Sequence, residues 1–261
     1  MTPLGPGLLT SEWIKLRSVR STYLTLLVAM AAATVVGILD YHSLDGSWDT
    51  MTAPERARVD PVRYGFSGGF YFAVLALGTL GVLATGSEYS SGLIRTTFTA
   101  TPHRGAVLTA KAVITGALTL AVGEMLAFTT YLLGRSALSG RHLAMGLADP
   151  GVFRAVASTG LFLCVMALLG LALGAILRSQ AGAITTLFGL FFILPMLAST
   201  LDNWSTTPGT WTLQSAFEAL SGTVARPGPD SHSAGLAFAV CGVYLAVLGG
   251  LAAVMVKRRD A

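Results

Sequence analysis

The chain has 261 residues, of which 53% are hydrophobic and 11% charged, and its mean hydropathy is +0.66. That balance excludes an ordinary soluble domain, where about a quarter of residues are charged, and makes a membrane protein the first expectation. A formal net charge of +4 says little about partners, because in a membrane protein the sidedness of Lys and Arg matters more than their sum.

From the N-terminus, Leu9, Trp13 and Leu16 recur at i, i+4 and i+7, with Thr10 or Ser11 as N-cap and Glu12 in the first turn. This predicts a helix over about 8–20 lying in a membrane interface, Trp13 at headgroup depth and Lys15, Arg17 and Arg20 toward lipid headgroups or a partner. Six apolar runs follow, 22–39, 66–86, 107–133, 155–177, 181–201 and 234–256. Each is close to the roughly 20 residues a helix needs to cross the hydrocarbon core. Ala29-Met30-Ala31 resembles a signal-cleavage site, but it lies mid-run behind a long leader, so an uncleaved first span is expected. Cys164 and Cys241 sit inside runs with neither CxxC nor Cys/His spacing and read as small buried hydrophobes. Gly170 with Gly174, and Ala246 with Gly250, have the small-xxx-small spacing that lets helix backbones approach. The expected fold is an all-α, six-helix membrane bundle in one domain.

Two connecting segments are unusual. Residues 87–106 are polar: Ser90 or Ser91 can cap a short helix edged by Leu93, Ile94 and Phe98, and Pro102 stops it. Arg95, Thr96, Thr97, Thr99 and Thr101 then point elsewhere, and Glu88 is placed to pair with Arg95, Arg17 or Arg20. A plain connection needs far less, as Arg178-Ser179-Gln180 between the fourth and fifth runs shows. In 202–233, Leu213, Phe217 and Leu220 repeat the i, i+4, i+7 spacing after Trp204 and Trp211, which predicts a short helix against the outer membrane face. With both termini inside, ten Lys and Arg lie in inner segments and seven in outer ones, the sense expected for cytoplasmic termini.

Within the runs, Glu124 is the only acid. An unpaired charge there is costly, so it is expected to face the bundle interior, a water-filled path or a cation, in a transport role or a structural pair. Phe72, Phe188 and Phe192 can line an apolar path or pack helices, and Pro195 removes a hydrogen bond within the fifth run and is expected to kink it.

The second span running into Glu88, then Gly92, Arg95, Thr96, Thr97, Pro102, Arg104 and Lys111, resembles the membrane permease subunits of ATP-binding-cassette transporters of the type-2 exporter class. The resemblance extends to the "SEWIKLRS" start and the six-span length, and it is specific over about forty residues. It implies that 8–20 is a connecting helix, that 87–106 holds a coupling helix docking on a separate ATPase, and that Leu213 to Leu220 form a re-entrant helix between spans five and six. Spans two and five would line the transport path of a hydrophobic or amphiphilic solute. No GxxxxGK[ST] phosphate-binding loop occurs in the chain, so ATP and Mg belong to the partner ATPase and the chain itself is not the enzyme. The implied partners are that ATPase, a second permease copy as homodimer or heterodimer, and the lipids of a bacterial cell membrane, with no nucleic acid.

Two rival readings come from other classes. Gly65 to Gly69, "GFSGG", resembles the GxSG of rhomboid intramembrane proteases, but Ser67 opens the second span and no span contains a histidine to serve as its base. The second rival is a secondary transporter or channel with Glu124 as its ion site. His42, His103, His142 and His232 lie in separate segments without HExxH spacing, and no metal is expected.

Overall fold

The computed structural model describes residues 5–18, 20–100, 103–141, 143–201, 208–223 and 233–258. Among the described residues there is no strand. In chain order the helices are α1 (Pro6–Ser18), α2 (Arg20–Ser47), the single turns α3 (Ala53–Arg56) and α4 (Pro61–Tyr64), α5 (Gly69–Ser90), α6 (Leu93–Ala100), α7 (Arg104–Ala137), α8 (Val152–Leu177), α9 (Gln180–Phe188), α10 (Leu194–Leu201), α11 (Leu213–Ser221) and α12 (Ala234–Arg258). Among the described residues six stretches are long and apolar enough to cross a membrane: Leu26–Thr50, Gly69–Ser90, Arg104–Ala137, Val152–Leu177, Gln180–Thr200 and Ala234–Arg258. The architecture is that of a multi-pass membrane protein.

Several helices overrun the apolar runs that mark them. α7 has 34 residues, about 51 Å of helix against about 30 Å of hydrocarbon. Hydropathy marks the part of a helix that suits lipid, whereas the backbone ladder continues as long as its hydrogen bonds are satisfied.

α5 and α8 form the centre. The apolar window of α8 is 78% buried and that of α5 61%, against 22% for the spans that begin at Leu26, Gln180 and Ala234. Glycines let this pair approach closely: a Cβ on Gly81 would overlap the Ala167 carbonyl, and one on Gly170 the Gly78 carbonyl. Thr85 Oγ1 donates to Leu171 O at 3.0 Å across the same contact. Gly170 and Gly174 therefore serve as expected for small-residue spacing, since a Cβ on Gly174 would overlap Thr85. Gly250 has nothing within 4 Å and Ala246 is exposed, so that second pair packs nothing within this chain. Cys164 and Cys241 are buried free thiols.

The end of the bundle that carries α4 and α11 is aromatic. Phe66, Phe70, Phe162 and Phe191 are fully buried, and Phe217 of α11 lies among them, 5.2 Å from Phe162 and 6.0 Å from Phe70 between ring centroids. The apolar stripe Leu213, Phe217 and Leu220 is buried as predicted, and Thr212 caps the helix by accepting from Ser215 N. Polar ties surround it: Asp60 caps α4 and also accepts from Thr223 N at 2.5 Å, Arg63 pairs with Glu218 at 2.5 Å, and Ser158 donates to Leu220 O at 2.7 Å.

The fifth span contains a π-helical turn, Gly189–Ile193, immediately before Pro195. Leu194 N–H bonds back to Gly189 O, five residues earlier. Proline supplies no N–H and crowds the preceding turn, and a widened turn accommodates both defects. The expected irregularity at Pro195 is thus a π turn between α9 and α10.

Candidate functional site

The densest polar cluster lies at the other end, where α1, α5, α6 and α7 meet. Lys111 Nζ is 2.6 Å from Glu12 Oε2 of α1 and 2.6 Å from Glu88 Oε1 of α5. Lys15 Nζ closes the cluster, 2.7 Å from Glu12 Oε1 and 2.9 Å from the same Glu88 Oε1, and donates at 3.4 Å to Thr97 Oγ1 of α6. Two carboxylates and two ammonium groups make the cluster neutral, which is what permits its burial. Glu12, Glu88 and Lys111 are 3%, 5% and 4% exposed, so the charges are withdrawn from solvent.

Local sequence explains how four helices deliver these groups. Pro6 opens α1, where its missing N–H costs nothing, and the spacing of Glu12 and Lys15 puts both on one face. α1 therefore does not start at a Thr10 or Ser11 cap, and Ser11 instead donates back to Leu8 O at 2.8 Å. The face turned to the bundle carries Glu12, while Trp13 and Ile14 are 43% and 59% exposed and Arg17 is exposed. The stripe of Leu9, Trp13 and Leu16 predicts a helix lying in the membrane interface; on that helix Glu12 turns inward because its cationic partner Lys111 lies on α7.

α5 continues to Ser90, so Glu88 belongs to its last turn rather than to the segment beyond. Ser90 and Ser91 do not cap α6. Their hydroxyls donate to Ser87 O at 3.1 and 2.7 Å and finish α5. Gly92, at φ +74°, then reverses the chain in a conformation open to glycine, and α6 begins at Leu93. On α6, Ile94 is buried, Leu93 and Thr96 are exposed, and Thr97 is half-buried beside Lys15. Glu88 pairs with Lys15 and Lys111, not with Arg17. Pro102 lies outside the described residues, as do Thr101, Trp204 and the side chains of Arg20, Arg95 and Phe98. Arg104 is the first residue of α7.

A second set of contacts holds the end of α5 to the turn between α8 and α9. Arg178 adopts φ +54° at the end of α8 and lies over the Tyr89 ring, 5.1 Å from its centroid. Gln180 Nε2 donates to Ser90 Oγ at 3.0 Å. The end of α5 is thus clamped from both sides.

Burial works to lower the Lys15 ammonium, yet the hydrogen bonds and charges of Glu12 and Glu88 outweigh it and raise its pKa above the usual 10.5. The group stays charged through neutral pH.

The remaining predicted residues lie elsewhere. Phe188 and Phe192 stack at 6.1 Å, and Phe192 joins the aromatic layer through Phe191 and Tyr71. Phe72 is 52% exposed and faces away from that layer, because the residue beside it, Tyr71, takes the inward direction. Glu124 is partly buried, its carboxyl lying against Gly160 of α8. Ser67 donates to Tyr64 O at 2.6 Å and lies 3.5 Å from Asp40 Oδ2, which also caps Gly68 N–H at 2.9 Å. Those bonds are a turn's hydrogen bonding and include no imidazole. Among the described residues no group of three His, Cys, Asp or Glu could hold a metal ion.

No model of a known protein family matches this chain, and no curated protein matches it. The site is therefore read from its own geometry. What that geometry does is mechanical: the N-terminal helix α1 is fastened through buried charges to two long membrane-type helices, α5 and α7, and the short polar helix α6 is tied to the same cluster by the Lys15 bond to Thr97.

The role of Glu12 escaped the sequence reading, which treated it as a first-turn acid. The available signal was its i, i+3 spacing with Lys15 together with a lysine, Lys111, just inside an apolar run.

Proposed function

We propose that this chain is the membrane-spanning permease subunit of an ATP-driven exporter of hydrophobic or amphiphilic solutes, powered by a separate ATPase that docks on α6. One observation carries the reading: the Glu12, Lys15, Glu88 and Lys111 network, with Thr97, joins α6 and α1 to the ends of α5 and α7. A docking helix serves a motor only if its displacement reaches the membrane helices. The buried core of that network, Glu12, Glu88 and Lys111, resists local give, since separating Lys111 from either acid leaves a charge in a poorly solvated site. α5 is also one of the two most buried helices, so a push at Glu88 is delivered to the centre of the bundle.

In this reading α1 lies in the cytoplasmic membrane interface with Trp13 and Ile14 toward lipid, α6 is the coupling helix, and both termini are cytoplasmic. The exposed Leu93 and Thr96 of α6, with Arg95 of the same helix, meet the ATPase, and α11 is a re-entrant helix at the outer face. Two permease copies and two ATPases form the working unit, in a bacterial cell membrane, and ATP and Mg are held by the ATPases. Alternating access follows when ATP-driven closure of the ATPases moves each α6 and tilts the helices fastened to it.

The experiment is purification of the tagged chain from its native membrane in mild detergent. A co-purifying ATPase is expected, its turnover being stimulated in the assembled complex and reduced by Arg95→Ala or Glu88→Gln. Transport that continues without ATP and without any such subunit would overturn the reading in favour of a secondary transporter or channel, for which the unpaired Glu124 is the supporting observation.

A further inference from the structure

Glu124 stands apart from the ion network. It lies where α7 crosses α8 most closely: a Cβ on Gly123 would come within 2.7 Å of the Gly160 carbonyl, and one on Gly160 within 2.8 Å of Glu124 Cα and of Oε1. The side chain that Gly160 lacks is the space the carboxyl occupies. Among the described residues no hydrogen bond or ion pair holds this carboxyl, and it is only partly buried. Gly160 lies eight residues into α8, about 12 Å along the helix and hence well inside the hydrocarbon. Along α7 the cations Arg135 and Lys111 lie about 16 and 20 Å of helix from Glu124, Lys111 within the ion network, and Arg154 of α8 directs Nη2 to Gly222 O at 2.6 Å.

The surroundings are apolar and open. Leu120, Glu124 and Phe128 recur at i, i+4 and i+8 along α7, one row of a helix face. Phe128 lies 6.0 Å from Phe153 of α8, ring centroid to centroid. Leu120 of α7 and Leu161 and Phe153 of α8 are 37%, 38% and 60% exposed. A single carboxyl group without a partner among the described residues, with the half-buried Phe128 and the exposed Phe153 along the same helices, is complementary to one chemistry: a positive charge carried on a greasy body, which supplies the partner the ionised form needs.

We propose that Glu124 and the α7–α8 surface around it bind lipophilic monocations, the carboxylate pairing with the charge while Phe128 and Phe153 receive the apolar part. A lipid headgroup is the wrong occupant, because its charge sits at the interface, whereas Gly160 lies about 12 Å along α8 from its first residue. The proposal deepens the export reading by naming a substrate class and rests on that reading only for the word substrate. Binding itself needs neither ATP nor an ATPase.

The test uses the full chain in lipid nanodiscs, with tetraphenylphosphonium as probe and the anionic tetraphenylborate, of the same shape, as control. Saturable tetraphenylphosphonium binding above that of empty nanodiscs is expected, weakened about ten-fold or more by Glu124→Gln, largely kept by Glu124→Asp, and absent for tetraphenylborate. Equal binding by wild type and Glu124→Gln, or equal binding of the two probes, overturns the proposal. A readout on the unaltered chain keeps it falsifiable if the variant fails to fold: dicyclohexylcarbodiimide should label Glu124, and tetraphenylphosphonium should slow that labelling. Labelling at an unchanged rate overturns it. Failure to find an ATPase leaves these binding results intact, and failure of the binding leaves ATPase co-purification intact, so the two readings fall separately.

Discussion

Lys111 Nζ and Glu12 Oε2, 99 residues apart in the chain, lie 2.6 Å from each other in a buried site. The pair ties the N-terminal helix to the third span, and Glu88, at 2.6 Å from the same ammonium, brings in the second. Removing the ammonium leaves two acids without it in a site that excludes solvent, where breaking a buried pair costs about 3–5 kcal/mol. Lys111→Met is expected to lower stability by about that much, read by unfolding in detergent. The triple variant Glu12→Leu, Glu88→Leu and Lys111→Met should recover most of the loss, because apolar replacement of a whole buried network is often neutral. A triple variant no more stable than Lys111→Met would contradict the burial argument.

Lys15 occupies the rim of the network, its side chain 41% exposed. Solvent screening should hold the cost of Lys15→Ala to below about 1 kcal/mol. Its pKa is raised above 10.5 in the folded state. A raised cationic pKa contributes stability fully below the unfolded value, and that contribution is lost as pH rises through the folded value. Wild type and Lys15→Ala should therefore differ by a constant amount from pH 7 to 9 and converge only at pH above 10.5. Convergence already near neutral pH would show that Lys15 is not held by the two acids.

Gly92 joins α5 to α6 at φ +74°, and a Cβ placed there meets nothing within 4 Å. Any cost of substitution is thus backbone strain alone. Gly92→Ala should destabilise by about 1–2 kcal/mol, and Gly92→Asn by less, since asparagine visits the left-handed region more readily. Equal losses for the two variants, measured by thermal unfolding, would point to a steric cause instead.

Gly81 and Gly250 make a contrasting pair of Gly→Ala sites. At Gly81 the new methyl would overlap the Ala167 carbonyl, whereas at Gly250 it would meet nothing within 4 Å. Overpacking at the α5–α8 contact should cost about 1–3 kcal/mol. Gly250→Ala should stay within about 0.5 kcal/mol of wild type. Thermal midpoints of the two variants, measured side by side, decide it.

Asp60 caps α4 with one carboxylate oxygen and accepts from Thr223 N and Oγ1 with the other. Asp60→Ala removes a cap and leaves the Thr223 donors unmatched, for an expected loss of about 1–3 kcal/mol. Hydrogen exchange in α11 should quicken while exchange in α1 and α6, at the opposite end, stays unchanged.

How far the chain could be read in advance depended on the range of the interactions involved. The spans were legible because apolar length is a local property, and the helix carrying Leu213, Phe217 and Leu220 was legible because an i, i+4, i+7 stripe is local too. Helix ends were less so: Ser90 and Ser91 have the chemistry of N-caps, yet their hydroxyls bond back to Ser87 O. Nothing in the local pattern distinguishes the two uses, since hydroxyls cap and back-bond with the same groups.

Composition and periodicity thus suffice for six membrane-length helices, a polar helix between the second and third, and an isolated acid in the third. Each follows from the match between a short stretch of side chains and its solvent. Tertiary packing alone settled that Glu88 meets Lys111 and Lys15, that Glu12 faces inward while Trp13 does not, and that Glu124 rests on Gly160. Such pairings are chosen by which charges and which gaps three or four helices bring to one place, and that is a property of their crossing and not of any one of them.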